Sequence, residues 1–209
     1  MNTKVIKATG AADPIIAQAG NLIRNGRLVA FPTETVYGLG ANGLDPAACQ
    51  KIFDVKGRPP DKPLTLHVSS VKMINFIAEI NPIAERLIKK FFPGPLTLIL
   101  PKLPSVPDAI SRGHSTVGVR MPANEIALAL INSAGMPIAA PSANISEHPS
   151  PTTAQAVFNE LGGKIPLILD GGNCRIGLSS TIVDVSTDNW RVIRAGVITR
   201  AMLAAVIKN

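Results

Sequence analysis

The spacing of apolar residues predicts a helix near the start of the chain and a strand after it. Apolar residues recur at helical spacing between positions 15 and 23, and Asp13-Pro14 stands immediately before them. Asp is a preferred helix cap and Pro is favoured at the first helical position, so the helix is predicted to begin there. The short apolar run 28–31 then predicts a buried strand.

The same patterns recur along the rest of the chain, so that predicted helices and strands alternate. Further helices are predicted over residues 45–55, 69–77, 81–92, 124–133, 152–161 and 199–207. Further strands are predicted over residues 64–68, 96–100, 117–121, 137–140, 167–170, 180–185 and 190–193. The glycine-rich stretch 32–43 is predicted to form turns, and the proline-rich stretch 101–113 to form a loop.

This alternation favours the α/β class of folds. No internal repeat or linker interrupts the chain, and its 209 residues suit one domain with a sizeable core. We therefore predict a single α/β domain over residues 1–209, built on an open, twisted, mixed β-sheet with helices on its faces.

Composition excludes a disordered chain and narrows the class of ligand. Hydrophobic residues make up 46% of the chain and charged residues only 17%, which a disordered protein does not show. The formal net charge of +7 favours anionic ligands such as nucleotides, phosphates or RNA. The cations are scattered rather than clustered, so a polybasic nucleic-acid tail is absent from the sequence.

The cysteines, the histidines and the chain start bear on compartment and metal binding. Cys49 and Cys174 form no paired-cysteine motif, which fits a reduced, cytoplasmic compartment. The three histidines lack metal-ligand spacing, so no metal site built from protein side chains is predicted. The first residues resemble no signal peptide, and no apolar run approaches the ~18 residues that span a bilayer, so no membrane association is expected.

A cationic loop follows the second predicted helix, where the chain reads Lys56-Gly57-Arg58-Pro59-Pro60. Gly57 carries no Cβ, so another molecule can approach the backbone closely, and the two prolines stiffen the exit from the loop. Fixed positive charges of this kind suit a polyphosphate, whose charge moves during reaction. The alternative is a basic loop in contact with solvent, and the stretch alone leaves both interpretations open.

A glycine-rich motif also needs testing against its context. Residues 38–43 match GxGxxG, but a dinucleotide-binding fingerprint follows its strand at once and opens a helix. Here several residues separate the preceding strand from the motif, and a new cap at Asp45 starts the next helix. The motif is therefore interpreted as a glycine-rich turn lining a cleft. The P-loop motif is absent from the sequence.

Polar residues stand at the ends of three predicted strands, where open α/β sheets gather ligand-binding groups. Thr35 follows the first strand together with Thr33 and Glu34, and the alternative there is a polar turn with local hydrogen bonds. His67 lies in an apolar strand, which is also typical of a histidine at the edge of a core. Arg120 ends an apolar strand, where a guanidinium needs either a bound carboxylate or phosphate or an internal salt bridge.

Further polar groups stand outside the apolar runs. Ser142 and Asn144 offer a hydroxyl and an amide on a loop between prolines, and Thr152 fits the first position of a capping box. Ser180 stands at a strand start and Arg194 after a strand. Each has a structural alternative, which is a polar turn, a helix cap or a solvated arginine.

Taken together, these stretches resemble the YrdC-like family of L-threonylcarbamoyladenylate synthases. The resemblance covers about residues 10–195, and five ordered blocks are far more specific than any single block. The blocks are Phe31-Pro32-Thr33-Glu34-Thr35-Val36-Tyr37-Gly38-Leu39, Lys56-Gly57-Arg58-Pro59, Val119-Arg120-Met121-Pro122, Ala140-Pro141-Ser142-Ala143-Asn144 and Ser179-Ser180-Thr181-Ile182-Val183.

The resemblance implies a reaction in which ATP, L-threonine and bicarbonate or CO2 give threonylcarbamoyl-AMP and pyrophosphate. The product feeds the threonylcarbamoyladenosine modification beside the anticodon of ANN-decoding tRNAs, which implies tRNA threonylcarbamoyltransferase proteins as transient partners. A large, positively charged, concave cavity and the short, single-domain form of the family are also implied. Mg2+ is implied as a cofactor on the ATP phosphates, held by substrate oxygens and water.

The resemblance also assigns roles to residues. Lys56 and Arg58 are implied to be catalytic, because they hold and neutralise the phosphates. Arg120 is expected to hold the α-carboxylate of threonine through two nitrogens. The implied ATP contacts are Arg58, Lys62, Thr116, Ser142, Asn144, Thr152 and Arg194. The implied threonine contacts are Thr35, His67, Arg120 and Ser180.

Two other functions are weighed against this one. A non-catalytic RNA-binding module would use the basic concave face, but the charge is scattered and the aromatic residues number only six Phe, one Tyr and one Trp. Weak RNA binding beside the enzymatic activity is left open. Carbamoyl-adenylate formation from carbamoyl phosphate is a sibling chemistry, whose proteins embed this domain in a longer chain with zinc-finger-like cysteines.

Overall fold

Side-chain caps decide where most of the helices begin. In the computed structural model, which describes residues 1–208, the carboxylate of Asp13 accepts a backbone hydrogen bond from the first turn of a helix that Pro14 opens. Asp45-Pro46 and Asn81-Pro82 open two further helices in the same way. These starts agree with the sequence prediction, because a cap and its proline act within one turn.

Helices occupy most of the predicted positions. The helix α7 begins after Thr153, whose hydroxyl accepts a hydrogen bond from Ala156 N at 3.1 Å, so the capping box predicted from Thr152 is wrong by one position. A short helix, α5, lies inside the stretch predicted as loop. Among residues 1–208 the helices are α1 (Pro14–Arg24), α2 (Pro46–Lys56), α3 (Val71–Ile77), α4 (Pro82–Phe91), α5 (Asp108–Ser111), α6 (Glu125–Ala134), α7 (Ala154–Leu161) and α8 (Arg200–Ile207).

Within the described residues 1–208, the strands form one sheet of ten, in the order β1-β8-β2-β3-β7-β4-β6-β5-β9-β10. The pairs β1-β8, β2-β8, β4-β6 and β5-β9 are parallel, and the other neighbours are antiparallel, so the predicted mixed sheet is confirmed. The strands are β1 (Lys4–Lys7), β2 (Val29–Phe31), β3 (Gly38–Asn42), β4 (Thr65–His67), β5 (Leu96–Pro101), β6 (Thr116–Arg120), β7 (Ile138–Ala139), β8 (Leu167–Asp170), β9 (Thr181–Asp184) and β10 (Arg191–Arg194).

Helices cover both faces of the sheet, because successive residues of a strand point to opposite sides. In β2, Val29 and Phe31 pack with α1 and α6 in one apolar cluster, whereas Ala30 belongs to the other cluster, with α2 and α4. In β8, Leu167 and Ile168 divide between the two clusters in the same way. The single α/β domain with helices on its faces is therefore confirmed.

Two strands were not predicted, and tertiary contacts explain both. β1 is mostly exposed and rich in lysine, so no apolar pattern marks it; it gains its hydrogen bonds from β8. β3 lies in the glycine-rich stretch predicted as turn. A Cβ on Gly40 would lie 2.9 Å from Ile138 Cγ2 and 2.9 Å from Phe31 Cε1, so neighbouring side chains occupy the space that a larger residue would need.

Within residues 1–208, no helix combines the length and the apolar character that crossing a lipid bilayer requires.

Candidate functional site

A cavity of about 190 Å³ lies along the part of the sheet that runs from β3 to β10. Arginines, hydroxyl groups and one histidine make up most of its polar wall. The lining residues are Thr33, Val36, Tyr37, Gly38, Arg58, Pro63, Thr65, His67, Thr97, Arg120, Ala140, Pro141, Ser142, Ser179, Ser180, Ile182 and Arg194.

The fold brings half of the predicted site residues into this wall. Those in the wall are Arg58, His67, Arg120, Ser142, Ser180 and Arg194. Those outside the wall are Thr35, Lys56, Lys62, Thr116, Asn144 and Thr152. The members of each set come from segments far apart in sequence, so sheet order rather than sequence order determines their proximity.

Two parallel strands place His67 and Arg120 side by side. The register of β4 and β6 pairs these two residues directly, and Val68 N donates to Arg120 O at 2.9 Å. Both residues end their strands, and the carboxyl ends of parallel strands meet at one edge, as the sequence argument expected.

Arg120 is both part of the cavity wall and half of an internal ion pair. Its Nη2 lies 2.8 Å from Glu34 Oε1 and donates to Thr35 Oγ1 at 2.8 Å, and its Nε donates to Gly94 O at 3.4 Å. Arg120 and Glu34 are only 4% and 3% exposed, so the pair is effectively removed from water. Of the two alternatives raised by the sequence, the internal salt bridge is therefore present, and Arg120 also lines the cavity.

A polar turn after β2 supplies the groups that hold Arg120. The hydroxyl of Thr33 donates to Val36 O at 2.6 Å and accepts from Thr35 N at 3.1 Å, which closes the turn on itself. Glu34 O accepts from Ile176 N at 2.8 Å, so a later loop holds the turn in place. Thr35 is fully buried and contacts Arg120 from behind the wall.

The three arginines of the wall are anchored in a common way. Arg58 uses Nε and Nη2 to bond the carbonyls of Lys62 and Pro63, and Arg194 uses Nε and Nη2 to bond Ser180 O at 3.0 and 2.9 Å. Arg120 also engages Nε and Nη2, so in each guanidinium the contacts described here leave Nη1 unused. The two-nitrogen grip on a carboxylate that was expected for Arg120 would therefore have to displace Glu34 or Thr35 from Nη2.

The charge of the wall favours anions. Burial and then the Arg112 charge lower the pKa of Arg58, while burial and then the Arg120 charge lower the pKa of Arg194. Arginine nevertheless stays charged in proteins. The residues that line the cavity include no Asp or Glu, since Glu34 lies behind Arg120.

His67 contributes a neutral ring to this wall. It is 4% exposed, its Nδ1 is buried without a hydrogen-bond partner, and its ring meets Phe31 edge-on at 6.0 Å between centroids. Burial and then the Arg120 charge lower the pKa of His67 well below its usual value, so the imidazole is neutral at neutral pH.

We expect His67 to make the protein less stable in mild acid. Unfolded histidine titrates near pH ~6.5, so below that pH the unfolded state binds a proton that folded His67 refuses, and the free energy of unfolding falls. His67→Gln should flatten this decline when chemical unfolding is measured between about pH 7 and pH 5. His114→Gln is the control, because His114 is exposed and hydrated in both states. Equal pH slopes for wild type and His67→Gln would contradict the prediction.

Thr97 and Tyr37 are polar wall residues that were not predicted from the sequence to bind a ligand. Thr97 is buried in the apolar strand β5, and its hydroxyl lies 2.8 Å from Ser180 Oγ. The sequence feature that could have identified Thr97 is its single hydroxyl within an apolar run. Tyr37 lines the cavity as well, and its hydroxyl donates to Gly172 O at 2.8 Å; burial raises the pKa of this phenol.

The Ser142-Ala143-Asn144 segment is held from behind by Lys56. The ammonium of Lys56 donates to Ser142 O at 2.5 Å and to Asn144 O. The Asn144 amide donates to Ile145 O at 2.7 Å and to His148 O at 2.8 Å, so it organises its own loop. Only Ser142 of this segment reaches the cavity wall.

The remaining predicted residues lie around the cavity. Thr116 lines a second, mostly apolar cavity of about 170 Å³ that shares Pro63, Thr65 and other wall residues with the first. Lys62 is exposed on the loop that Arg58 holds, and Thr152 is half-buried, with its carbonyl accepting from Cys174 N. Within residues 1–208, no group of three His, Cys, Asp or Glu side chains is placed to hold a metal ion.

The Sua5/YciO/YrdC family model, described as "Telomere recombination", matches residues 21–196. A threonylcarbamoyl-AMP synthase of Pyrococcus abyssi is 57% identical over 80% of this chain and 50% of its own length. A threonylcarbamoyl-AMP synthase of Bacillus subtilis is 47% identical over 93% of this chain and 57% of its own length. The chain thus spans about half the length of these relatives.

A solved structure agrees with these relatives. The crystal structure of P. abyssi Sua5 complexed with L-threonine superposes with a TM-score of 0.95 at 50% sequence identity, over 98% of this chain and 61% of that one. The likeness covers the sheet and the cavity described above, since nearly the whole chain is included.

Proposed function

Because the chain belongs to the Sua5/YciO/YrdC family, we propose that it acts as a threonylcarbamoyl-AMP synthase, a nucleotidyltransferase that joins L-threonine, bicarbonate and ATP. The observation that carries the proposal is the cavity wall, in which three anchored arginines stand beside hydroxyls and a neutral histidine, without a lining carboxylate. Two of the three substrates are anions and the third carries a carboxylate. Such a wall binds all three.

Threonine is proposed to lie against Arg120, His67 and Ser180. The P. abyssi protein was crystallised with L-threonine, and its fold matches this chain closely. Nη1 of Arg120 suits the α-carboxylate, while Thr35 and Glu34 hold the other end of the guanidinium. Because the guanidinium is already held in place, it positions the carboxylate without first having to be ordered itself. Less entropy is therefore lost when the reacting groups come together, which favours the reaction.

ATP is proposed to span the two adjoining cavities. Its phosphates would meet Arg58, Arg194 and Ser142, which line the first cavity. Its adenine would enter the second cavity beside Thr116, where leucine and isoleucine side chains offer an apolar slot. The remaining predicted ATP contacts lie outside the wall and stay predictions; these are Lys62, Asn144 and Thr152.

The chemistry needs positioning and charge more than proton transfer. The neutral amine of threonine adds to CO2 and releases a proton to water, which gives a carbamate. An oxygen of that carbamate attacks the α-phosphorus of ATP. The bond to the β-phosphate oxygen breaks, and pyrophosphate leaves with the electron pair. Fixed arginines stabilise the charge that builds up on the transferring group, in a site that needs no catalytic dyad.

Mg2+ is proposed to arrive with ATP as part of the substrate. The wall offers hydroxyls and arginines but no carboxylate ligand, so phosphate oxygens and water would supply most of its coordination. The product is proposed to pass to a tRNA threonylcarbamoyltransferase in the cytoplasm. That acceptor would modify tRNA beside the anticodon.

Pyrophosphate release tests the proposed function. Purified protein with Mg-ATP is expected to release pyrophosphate only when L-threonine and bicarbonate are both present, and mass spectrometry should detect threonylcarbamoyl-AMP. Release that ignores threonine, or no release at all, would contradict the proposal. Carbamoyl phosphate in place of threonine and bicarbonate distinguishes the sibling chemistry.

RNA binding is tested by the same preparation. If salt-sensitive RNA binding is present and survives Arg120→Ala while no pyrophosphate is released, the binding-module interpretation replaces the enzyme.

A further inference from the structure

Lys56 is a buried lysine whose charge is already engaged. It is 2% exposed, and its ammonium donates to Ser142 O at 2.5 Å and to Asn144 O. Burial, with a smaller effect from Arg58, lowers the pKa of Lys56 to about 8. A buried ammonium rarely occurs without partners, and here both partners are backbone carbonyls of one loop.

A backbone bond strengthens the same connection. Ser146 N donates to Lys56 O at 2.8 Å, so the end of α2 holds the 142–146 loop through both its side chain and its main chain. Glu160 Oε2 accepts from Ile145 N at 3.1 Å on the far side of that loop. The loop is therefore fixed between α2 and α7.

The connection joins two parts of the cavity wall. Ser142 lines the cavity on one side of Lys56, and Arg58 lines it two residues further along the chain. Gly57, which lies between Lys56 and Arg58, adopts a left-handed conformation with φ of 56° and ends the helix. Arg58 therefore turns toward the cavity, while Lys56 stays beneath the loop. A substitution of Lys56 would therefore displace both parts of the cavity wall, at Ser142 and at Arg58, together.

We propose that Lys56 is a positioning residue that connects the Arg58 turn to the Ser142-Asn144 loop and does not itself contact the phosphates. This assignment rests on the proposed function for its kinetic consequence. It replaces the direct phosphate contact expected for Lys56 with an indirect one, through Arg58 and Ser142.

Lys56→Met tests the proposal, with Lys51→Met as the matched control. Met keeps much of the side-chain volume but leaves both carbonyls without a donor. Lys51 lies on the same helix, and its ammonium also donates to a carbonyl, Gly26 O at 2.7 Å, away from the cavity. Lys56→Met should speed amide hydrogen exchange in residues 142–148 and lower kcat/KM for ATP by about 10²-fold, because the wall moves. Lys51→Met should do neither.

A double-mutant cycle with Ser142→Ala separates positioning from contact. If Lys56 acts through the loop, Lys56→Met should lower kcat/KM for ATP by a smaller factor in the Ser142→Ala variant than in wild type. If the losses in kcat/KM of the two single variants multiply fully in the double variant, the proposal is overturned in favour of a direct phosphate contact. An unchanged hydrogen-exchange pattern in Lys56→Met would overturn it as well.

Lysine labelling of the wild-type protein covers the case in which Lys56→Met does not fold. Acetic anhydride should leave Lys56 unmodified in the absence of ATP and acetylate the exposed Lys62. Rapid acetylation of Lys56 that ATP prevents would overturn the proposal. If wild type binds no ATP, the proposed function is wrong, whereas hydrogen exchange and labelling still decide the role of Lys56.

Discussion

Arg120→Met is expected to abolish threonine-dependent pyrophosphate release and to lower the free energy of unfolding by about 3–5 kcal/mol. The activity is lost because Arg120, the cation proposed to hold the threonine carboxylate, is gone. The stability is lost because Glu34, 3% exposed, keeps a buried carboxylate without its cation. Urea unfolding and the pyrophosphate assay measure the two effects separately.

A double variant separates these two losses. Glu34→Gln in the Arg120→Met background removes the unpaired charge and should recover most of the lost stability, while activity stays absent. Recovery of activity along with stability would show that Arg120 serves folding alone. An undiminished stability in Arg120→Met would contradict the prediction that Glu34 depends on this cation.

Arg58→Lys is expected to lower kcat/KM for ATP by about 10²- to 10³-fold, the loss seen when one preorganised donor to a developing charge is removed. Arg58 bonds two carbonyls with Nε and Nη2, and Nη1 is the nitrogen proposed to meet the phosphates. A lysine ammonium is one point charge and cannot hold the loop and a phosphate in the same geometry. Because Arg58 is only half-buried, the free energy of unfolding should change by less than about 1 kcal/mol.

Arg112→Lys is the matched control for this change. The Arg112 guanidinium lies 3.7 Å from the centroid of the Phe53 ring, over which Arg58 also lies at 6.0 Å. Arg112 is not part of the cavity wall, so its replacement should leave kcat/KM for ATP within about twofold, a free-energy difference of less than ~0.5 kcal/mol. Equal losses in Arg58→Lys and Arg112→Lys would assign both arginines to packing on Phe53.

Local signals in the sequence determined most of the secondary structure. Asp13, Asp45 and Asn81 each cap a helix that a proline opens, and these choices need no information from elsewhere in the chain. Buried strands were found wherever apolar runs continued over several residues. β1 and β3 were missed, because their pairing partners rather than their own residues decide that they are strands.

Local sequence signals predicted only part of the candidate site. His67, Arg120 and Ser180 were found because a polar residue in or beside an apolar strand is conspicuous, and the fold places all three in one wall. Thr97 was not predicted, because a single threonine is common in an apolar strand and does not indicate a binding site by itself. The partner of Arg120 could not be chosen from sequence, because Glu34 reaches it only through the pairing of distant strands.

The sequence alone determined that Lys56 and Arg58 stand two residues apart at the end of a helix, with a glycine between them. Only the tertiary structure decided that they serve different purposes. The left-handed turn at Gly57 sends the two side chains in different directions, and the position of the Ser142-Asn144 loop captures the ammonium of Lys56. Composition and spacing record which groups are available, whereas the direction of a side chain depends on what the rest of the fold packs against it.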